Sequence, residues 1–257
     1  MPLLLVTNDD GVHAAGLAAL AEAVSELGDV WVIAPEREQS ACGHALTLHR
    51  PIRPTEVRDR ERWFAVNGTP SDCVNLGVLG FLPERPVLVL SGINHGSNLG
   101  DDVTYSGTVS AAMEGTLLGV PSIAFSLVEG DDFTVAAGVA RLIATRALVE
   151  SIPRKTLLNV NVPAGTPRGV RVAALGHRVY SDKIVAQADP RGRTHYWIGG
   201  GEPQWEALDG TDMGAVHEGY VSISPVQLDL TNHRAVAHMA DWQNALNAQY
   251  RRAHRSG

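Results

Sequence analysis

The stretch that decides the fold is Leu3-Leu-Leu-Val-Thr-Asn-Asp-Asp-Gly11, near the start of the 257-residue chain. The apolar run Leu3–Val6 is typical of a short buried strand. Two adjacent acids, Asp9 and Asp10, follow where this strand should end. Because Asn, Asp and Gly also suit an ordinary turn, the acids by themselves leave both a plain turn and a functional loop open.

Apolar runs and amphipathic segments alternate after this strand. We predict further strands and helices as follows: strands at 30–34, 86–91, 122–126 and 157–162, and helices at 16–27, at 69–80, from about 107, and along a stretch that includes Val135, Val139, Leu142 and Ile143. Strands that alternate with helices form a parallel sheet with helices on both faces. The sequence therefore predicts an α/β protein with a Rossmann-like, mainly parallel sheet.

The pattern changes past residue 163. Three segments resemble strands without helices between them, and one later segment is helical again: 170–175, 194–198, 220–223 and 240–251. We therefore divide the chain into an α/β catalytic core, residues 1–163, and a β-rich C-terminal extension with a terminal helix, residues 164–257. Strands without covering helices leave edges that need partners, so the extension is expected to serve oligomerisation.

Composition excludes several classes of protein. The formal net charge of -7 argues against a general nucleic-acid binder, which relies on basic patches. The two cysteines have no paired spacing, which favours a reducing compartment over a disulfide framework. The apolar run at the N-terminus is too short for a signal peptide, and no run reaches the length of a membrane span. We expect a cytoplasmic protein with no membrane association and no stable nucleic-acid complex.

Unusual polar loops follow the first three predicted strands, and a further polar segment begins a helix. They cover residues 8–11, 35–44, 91–98 and 105–110. Each has an ordinary explanation as a turn, a loop or a helix cap. In an open parallel sheet, however, these segments all lie outside the carboxyl ends of the strands, where ligands bind. Their convergence therefore favours a functional site.

The residue types in these loops indicate a divalent cation beside a phosphate. Two neighbouring carboxylates repel each other unless a positive charge lies between them. Oxygen donors from Asp, Asn and Ser suit Mg²⁺ or Mn²⁺, whereas zinc prefers His and Cys, and the ten histidines show no HExxH or HxH spacing. Helix N-termini rich in Gly, Ser and Thr offer N–H groups and hydroxyls to a phosphate. The pattern predicts metal-assisted phosphoryl hydrolysis.

Several long motifs resemble one known family. They are LLVTNDDG (4–11), VIAPEREQSACGHALT (32–47), NGTPSDCVNLG (67–77), LVLSGINHGSNLGDDVTYSGTVSAAMEGTLLGVPSIAFS (88–126) and GYVSISP (219–225). In this order they are similar to the SurE family of stationary-phase survival proteins. The resemblance implies a divalent-metal-dependent phosphomonoesterase of the acid type, a 5′/3′-nucleotidase that hydrolyses nucleoside monophosphates to nucleoside and phosphate.

The resemblance also implies roles for individual residues. One divalent cation per subunit, Mg²⁺ or Mn²⁺, is expected on four ligands: Asp9, Asp10, Ser40 and Asn94. The catalytic candidates are Asp9, Asp10 and Asn94, and the expected phosphate contacts are Asn94, Gly96, Ser106, Gly107 and Thr108. Family dimers exchange C-terminal segments and tetramers are common, which implies a homodimer or homotetramer here.

Other assignments stay open at this point. Asp10 is favoured over Asp9 as the group that accepts a proton from water. His44 or His95 is a candidate to protonate the leaving alcohol, although each is equally well explained as a surface histidine. His95 also stands where the family frequently has an arginine.

Two other classes of protein share part of this pattern. A phospho-accepting, receiver-like signalling domain also carries an acidic pair after its first strand. It needs an acceptor Asp at the end of the third strand, where this chain has Ser91 and Gly92, and a later lysine, of which the chain has only Lys155 and Lys183. A dinucleotide-dependent oxidoreductase needs a G-x-G-x-x-G turn after the first strand, and the sequence has none there.

Overall fold

The computed structural model describes residues 1–179, 183–199, 204–205 and 208–254. The chain forms two compact units, Met1–Val226 and Gln227–Gly257. Within the described ranges, no helix has the length and apolar character needed to cross a membrane.

The strands and helices are numbered here in chain order. The strands are β1 (Leu3–Thr7), β2 (Asp29–Pro35), β3 (Pro54–Glu56), β4 (Trp63–Val66), β5 (Leu88–His95), β6 (Ser122–Leu127), β7 (Thr156–Val162), β8 (Val170–Val172), β9 (Arg178–Val179), β10 (Lys183–Ala188), β11 (Thr194–Gly199), β12 (Gln204–Trp205) and β13 (Val221–Gln227). The α-helices are α1 (Ala15–Ala23), α2 (Pro70–Leu76), α3 (Gly107–Leu117), α4 (Thr134–Val149), α5 (Asp212–His217), α6 (His233–His238) and α7 (Ala240–Ala253).

Within the described residues, nine strands form one sheet in the order β3-β4-β2-β1-β5-β6-β7-β13-β8. The strands from β4 to β7 in this order run parallel, and β3 pairs antiparallel with β4. Two small antiparallel pairs, β10 with β11 and β9 with β12, lie outside this sheet. Because β1, β2 and β5 are parallel neighbours, the loops that follow them meet at one edge.

Strand β1 explains why helices cover both faces of the sheet. All five of its side chains are buried, and successive side chains of a strand point to opposite faces. Leu4 and Val6 pack in a cluster with residues of α1 and α4. Leu3 and Leu5 pack in a second cluster with residues of α2 and α3. The predicted α/β fold with a mainly parallel sheet is confirmed.

The compact unit extends further along the chain than the predicted core. The predicted α/β core ends at residue 163, whereas this unit runs to Val226. The reason is strand pairing, since β13 follows β7 in the main sheet and β8 pairs parallel with β13. The role of residues 164–257 in oligomerisation stays a prediction.

Other differences from the predicted helices arise where tertiary contacts determine the local structure. The helix predicted at 69–80 is α2 followed by a π-helical turn, Gly77–Phe81, although Thr69 caps α2 as its sequence indicates. Helix α5 interrupts the region that was expected to lack helices between its strands. In α4, Leu142 is 63% exposed, so it does not share the buried face predicted for it.

Candidate active site

A cleft of about 810 Å³ lies where the loops after β1, β2 and β5 meet. Its lining comes from these loops, from the start of α3 and from the region beyond residue 170: Asp9, Asp10, Glu38, Ser40, Ala41, Asn94, His95, Ser97, Asn98, Asp102, Tyr105, Ser106, Arg178 and Ile198. The four predicted metal ligands and Ser106 therefore share one cleft. Three other predicted residues, Gly96, Gly107 and Thr108, contact lining residues without lining the cleft themselves.

Asp9 is the buried carboxylate of the cleft. It is only 4% exposed, and its Oδ1 accepts a hydrogen bond from the hydroxyl of Thr108. Burial raises the pKa of Asp9 from its ordinary value of 3.8 to about 6, against the opposing effect of the Thr108 hydrogen bond. The negative charge of Asp10 raises it further. Burial is therefore the main cost of ionising Asp9.

Asp10 is more accessible than its neighbour. Burial raises the pKa of its carboxyl, the backbone N–H of His95 opposes that rise, and the charge of Glu38 adds to it. The hydrogen bond from His95 N–H to Asp10 Oδ2 measures 3.4 Å. Asp10 is thus half-buried at the junction of the loops after β1 and β5.

Asn94, at the end of β5, and Ser40, in the loop after β2, line the same cleft as the acids. The side-chain N–H of Asn94 donates to the carbonyl of Gly96 over 2.8 Å, which fixes the amide plane. Ser40 is exposed on the loop after β2, and its hydroxyl donates to Glu38 Oε1 over 2.6 Å. A cation at Ser40 would therefore compete with Glu38 for the orientation of this hydroxyl.

The first turn of α3 packs directly against Asp9. Ser106 caps the helix, since its Oγ accepts a hydrogen bond from Val109 N–H over 3.1 Å. Gly107 comes so close that a Cβ on it would lie 2.7 Å from the Cβ of Asp9. Only glycine fits this approach, so the N-terminus of α3 and the acids after β1 share one end of the site.

The two candidate histidines are placed differently. His44 Nε2 lies 2.5 Å from Oε2 of the buried Glu114 of α3, and His44 does not line the cleft. This pair fastens the loop after β2 to α3. His95 does line the cleft, with a side chain that is 59% exposed and lies 2.9 Å from Asp131. Of the two histidines, only His95 is in position to reach a ligand in the cleft.

Several cleft residues were not singled out from the sequence. Arg178 is the least predictable, because long-range hydrogen bonds bring it to the cleft. Buried Asp212 of α5 accepts bonds from Gly100 N–H and Gly176 N–H, at 2.8 and 2.9 Å. Arg178 then donates from Nη1 to both carboxylate oxygens of Asp102, at 2.9 and 3.0 Å. No local sequence motif predicts these contacts. Glu38 and Tyr105, in contrast, lie inside polar loops that the sequence did indicate.

The chain matches a known protein family over most of its length. The family described as Survival protein SurE matches residues 4–182. This chain belongs to the SurE family. The stated resemblance is therefore confirmed, and the SurE match includes the loops after β1, β2 and β5 together with the start of α3.

Individual SurE proteins are similar over nearly the whole chain. The 5′-nucleotidase SurE of Syntrophotalea carbinolica is 55% identical over 245 residues, covering 93% of this chain and 97% of the relative. The 5′-nucleotidase SurE of Geobacter sulfurreducens is 52% identical over 245 residues, covering 93% of each chain. The crystal structure of the SurE protein from Aquifex aeolicus has a TM-score of 0.84 at 44% identity and covers 94% of this chain and 100% of its own.

The SurE cleft has the donor chemistry of a hard divalent cation. Among the described residues, no three His, Cys, Asp or Glu side chains cluster as a metal site. The cleft instead combines two carboxylates with the amide oxygen of Asn94 and the hydroxyl of Ser40, which are oxygen donors of the kind that Mg²⁺ and Mn²⁺ take. Burial raises the pKa of both acids, so a positive charge beside them would favour their ionised forms. These residues fit a divalent cation.

The pKa of Asp9 gives a prediction for the metal-free protein. The pKa of Asp9 in the folded protein, about 6, lies above the ordinary value of 3.8. The stability that this carboxyl contributes is therefore fully present below pH 3.8 and is lost as the pH rises through about 6. Asp9→Asn keeps an acceptor for Thr108 and cannot ionise. In EDTA, we expect the free energy of unfolding of the variant, measured by urea unfolding, to rise relative to that of the wild type by on the order of 2 kcal/mol between pH 4 and pH 8.

Asp59→Asn is the matched control, because it makes the same chemical change at an exposed position of the turn between β3 and β4. It should shift the free energy of unfolding by the same small amount at both pH values. A difference between Asp9→Asn and wild type that does not grow from pH 4 to pH 8 would contradict the assigned environment of Asp9.

Proposed function

We propose that this protein is a divalent-metal-dependent 5′-nucleotidase that hydrolyses nucleoside monophosphates to nucleoside and phosphate. The observation that carries the proposal is the convergence of Asp9, Asp10 and Asn94 with the first turn of α3 in one cleft. The names of the SurE relatives, 5′-nucleotidase, support the same reaction. The receiver-like alternative has no support, since β5 carries no acidic residue at its carboxyl end.

The proposed cofactor is one Mg²⁺ or Mn²⁺ per subunit, held by Asp9, Asp10, Ser40 and Asn94. Such a cation supplies Lewis-acid polarisation of a phosphoryl oxygen and a positive charge opposite the developing negative charge. The lining of the cleft also includes Glu38 and Asp102. Because so many acids line it, a phosphate dianion needs this added positive charge to enter.

Other side chains of the cleft have separate roles in the proposed reaction. Asp10 is half-buried and reaches the cleft, so it is the group that accepts a proton from the attacking water. The first turn of α3, with Ser106 at its cap, offers a positive helix end to the phosphate. Asn94 steadies the phosphoryl group as charge develops. His95 lines the cleft, which supports it as the proposed group that protonates the leaving alcohol.

Chelation tests the proposed function. Phosphate release from a panel of nucleoside 5′-monophosphates should fall at least about 100-fold after exhaustive EDTA treatment, because the metal supplies several kcal/mol of transition-state stabilisation. Mn²⁺ or Mg²⁺ should restore the rate, and Ca²⁺ should restore it less, since its looser geometry suits this site poorly. Undiminished activity after chelation would contradict metal dependence. Inactivity on every nucleotide with all three metals would overturn the nucleotidase assignment.

We also propose that the chain forms at least a homodimer, with residues after 163 supplying much of the interface. Helix α7 supports this, because Trp242, Leu246 and Tyr250 are exposed at helical spacing on one side. A reducing, cytoplasmic location is part of the proposal, and it is consistent with the free thiols of Cys42 and Cys73.

Light scattering at micromolar concentration measures this association directly. The wild type should have at least twice the mass of one chain, and Leu246→Glu should lower the average mass, because a charge would be buried in the interface. Asn244→Glu places the same charge on the opposite side of α7 and should leave the mass unchanged. A wild-type mass equal to one chain would reject the proposal.

A further inference from the structure

The hydroxyl of Thr108 contacts two candidate metal ligands at once. Thr108 Oγ1 donates a hydrogen bond to Asp9 Oδ1 and lies 3.4 Å from Asn94 Oδ1. Its side chain is fully buried and does not line the cleft, so it lies behind the ligands rather than facing a substrate. We propose that Thr108 is a positioning residue that orients the carboxylate of Asp9 for the cation, a role distinct from the phosphate contact that the resemblance implies. The inference rests on the proposed function.

The hydrogen-bond chemistry fixes one side of each ligand. A threonine hydroxyl has a single proton to donate, and the carboxylate of Asp9 is both the nearer and the stronger acceptor. Asn94 is held separately through its Nδ2, which donates to Gly96 O over 2.8 Å. Asp9 is therefore anchored through Oδ1 and Asn94 through Nδ2. With these anchors, we assign Asp9 Oδ2 and Asn94 Oδ1 as the acceptor atoms for a cation.

The location of Thr108 makes the anchor rigid. It lies in the first turn of α3, where the backbone of Gly107 already packs against Asp9 and where Ser106 caps the helix. The next turn is held as well, since Ser110 Oγ donates to the carbonyl of Ser106 over 2.6 Å. The hydroxyl of Thr108 is thus presented from a fixed helix end.

Rigid ligands affect both the affinity and the selectivity of a metal site. Loss of a hydrogen bond that orients a ligand typically lowers metal affinity about 10- to 100-fold. Mg²⁺ and Mn²⁺ require strict geometry around the small ion, whereas Ca²⁺ tolerates variable ligand positions. Removal of the Thr108 hydroxyl should therefore weaken Mn²⁺ binding more than Ca²⁺ binding.

The experiment compares three variants of the full chain by calorimetric titration with Mn²⁺ and, by competition, with Ca²⁺. Thr108→Val should raise the Kd for Mn²⁺ about 10- to 100-fold and lower the ratio of the Ca²⁺ Kd to the Mn²⁺ Kd. Thr108→Ser keeps the hydroxyl, so its Kd for Mn²⁺ and its ratio of the two Kd values should match those of the wild type. Thr116→Val is the control, because Thr116 is a buried threonine of the same helix whose hydroxyl donates to Ala112 O at 2.9 Å.

The outcomes separate this inference from the proposed function. A wild type that binds Mn²⁺ while Thr108→Val keeps the same Kd and the same selectivity overturns the role of Thr108 alone. Equal losses for Mn²⁺ and Ca²⁺, with Thr108→Ser as weak as Thr108→Val, also overturn it, because they indicate general damage to the fold. A wild type that binds no metal overturns the proposed function as well. Melting in EDTA checks folding, and Thr108→Ala provides a second hydroxyl-free variant if Thr108→Val does not fold.

Discussion

Asp10→Asn is expected to lower kcat/KM for nucleoside monophosphates about 10²- to 10³-fold, because it weakens the hold on a cation that supplies several kcal/mol of transition-state stabilisation. The same substitution should not destabilise the metal-free protein. Burial and the charge of Glu38 raise the pKa of Asp10, so its ionised form is unfavourable without a cation. In EDTA, the variant should therefore melt at the same temperature as the wild type or higher.

Saturating metal should reverse this order. At a hundredfold excess of Mn²⁺ over its Kd, binding adds roughly 2.7 kcal/mol to the stability of the wild type. Asp10→Asn should lose most of that gain. Thermal melts of both proteins, each with EDTA and with Mn²⁺, measure the two effects, and Asp59→Asn on an exposed turn provides the control. If Mn²⁺ raises both melting temperatures equally, Asp10 is not a ligand.

Among the substitutions, Gly107→Ala is expected to have the second largest effect on activity, although glycine has no functional group. The new methyl would lie 2.7 Å from Asp9 Cβ and 2.8 Å from Asp9 Oδ2, so either Asp9 or the start of α3 must move. A displacement of about 1 Å at a catalytic group can cost about 100-fold in rate. We expect a loss of that size in kcat/KM and a destabilisation of about 1–3 kcal/mol from overpacking.

Gly138→Ala is the matched control for this substitution. Gly138 lies inside α4, and a Cβ on it would meet no heavy atom of a neighbouring element within 4 Å. Alanine there should keep full activity and raise stability by up to about 1 kcal/mol through its helix propensity. Wild-type kcat/KM in Gly107→Ala, with the cleft saturated with metal, would contradict the close approach of α3 to Asp9.

The sequence determined which residues meet at the edge of the sheet. Alternation along Leu3–Val6 places side chains on both faces, and helices pack on both. Once the strands are parallel neighbours, the segments after β1, β2 and β5 must share one edge. The meeting of these segments in one cleft follows from the local patterns together with a rule of topology, whereas the choice of Asp9, Asp10, Ser40 and Asn94 within them rests on the resemblance to the SurE family.

Only the tertiary structure decided what each of these side chains contacts. Thr108 donates to Asp9 across 99 positions of the chain, and Arg178 reaches the cleft because Asp212 joins two distant backbone segments. The orientation of a hydroxyl or the path of a loop depends on packing between remote elements, for which local periodicity carries no signal. For the same reason, periodicity placed Leu142 on a buried face, whereas the packing of α4 leaves it exposed.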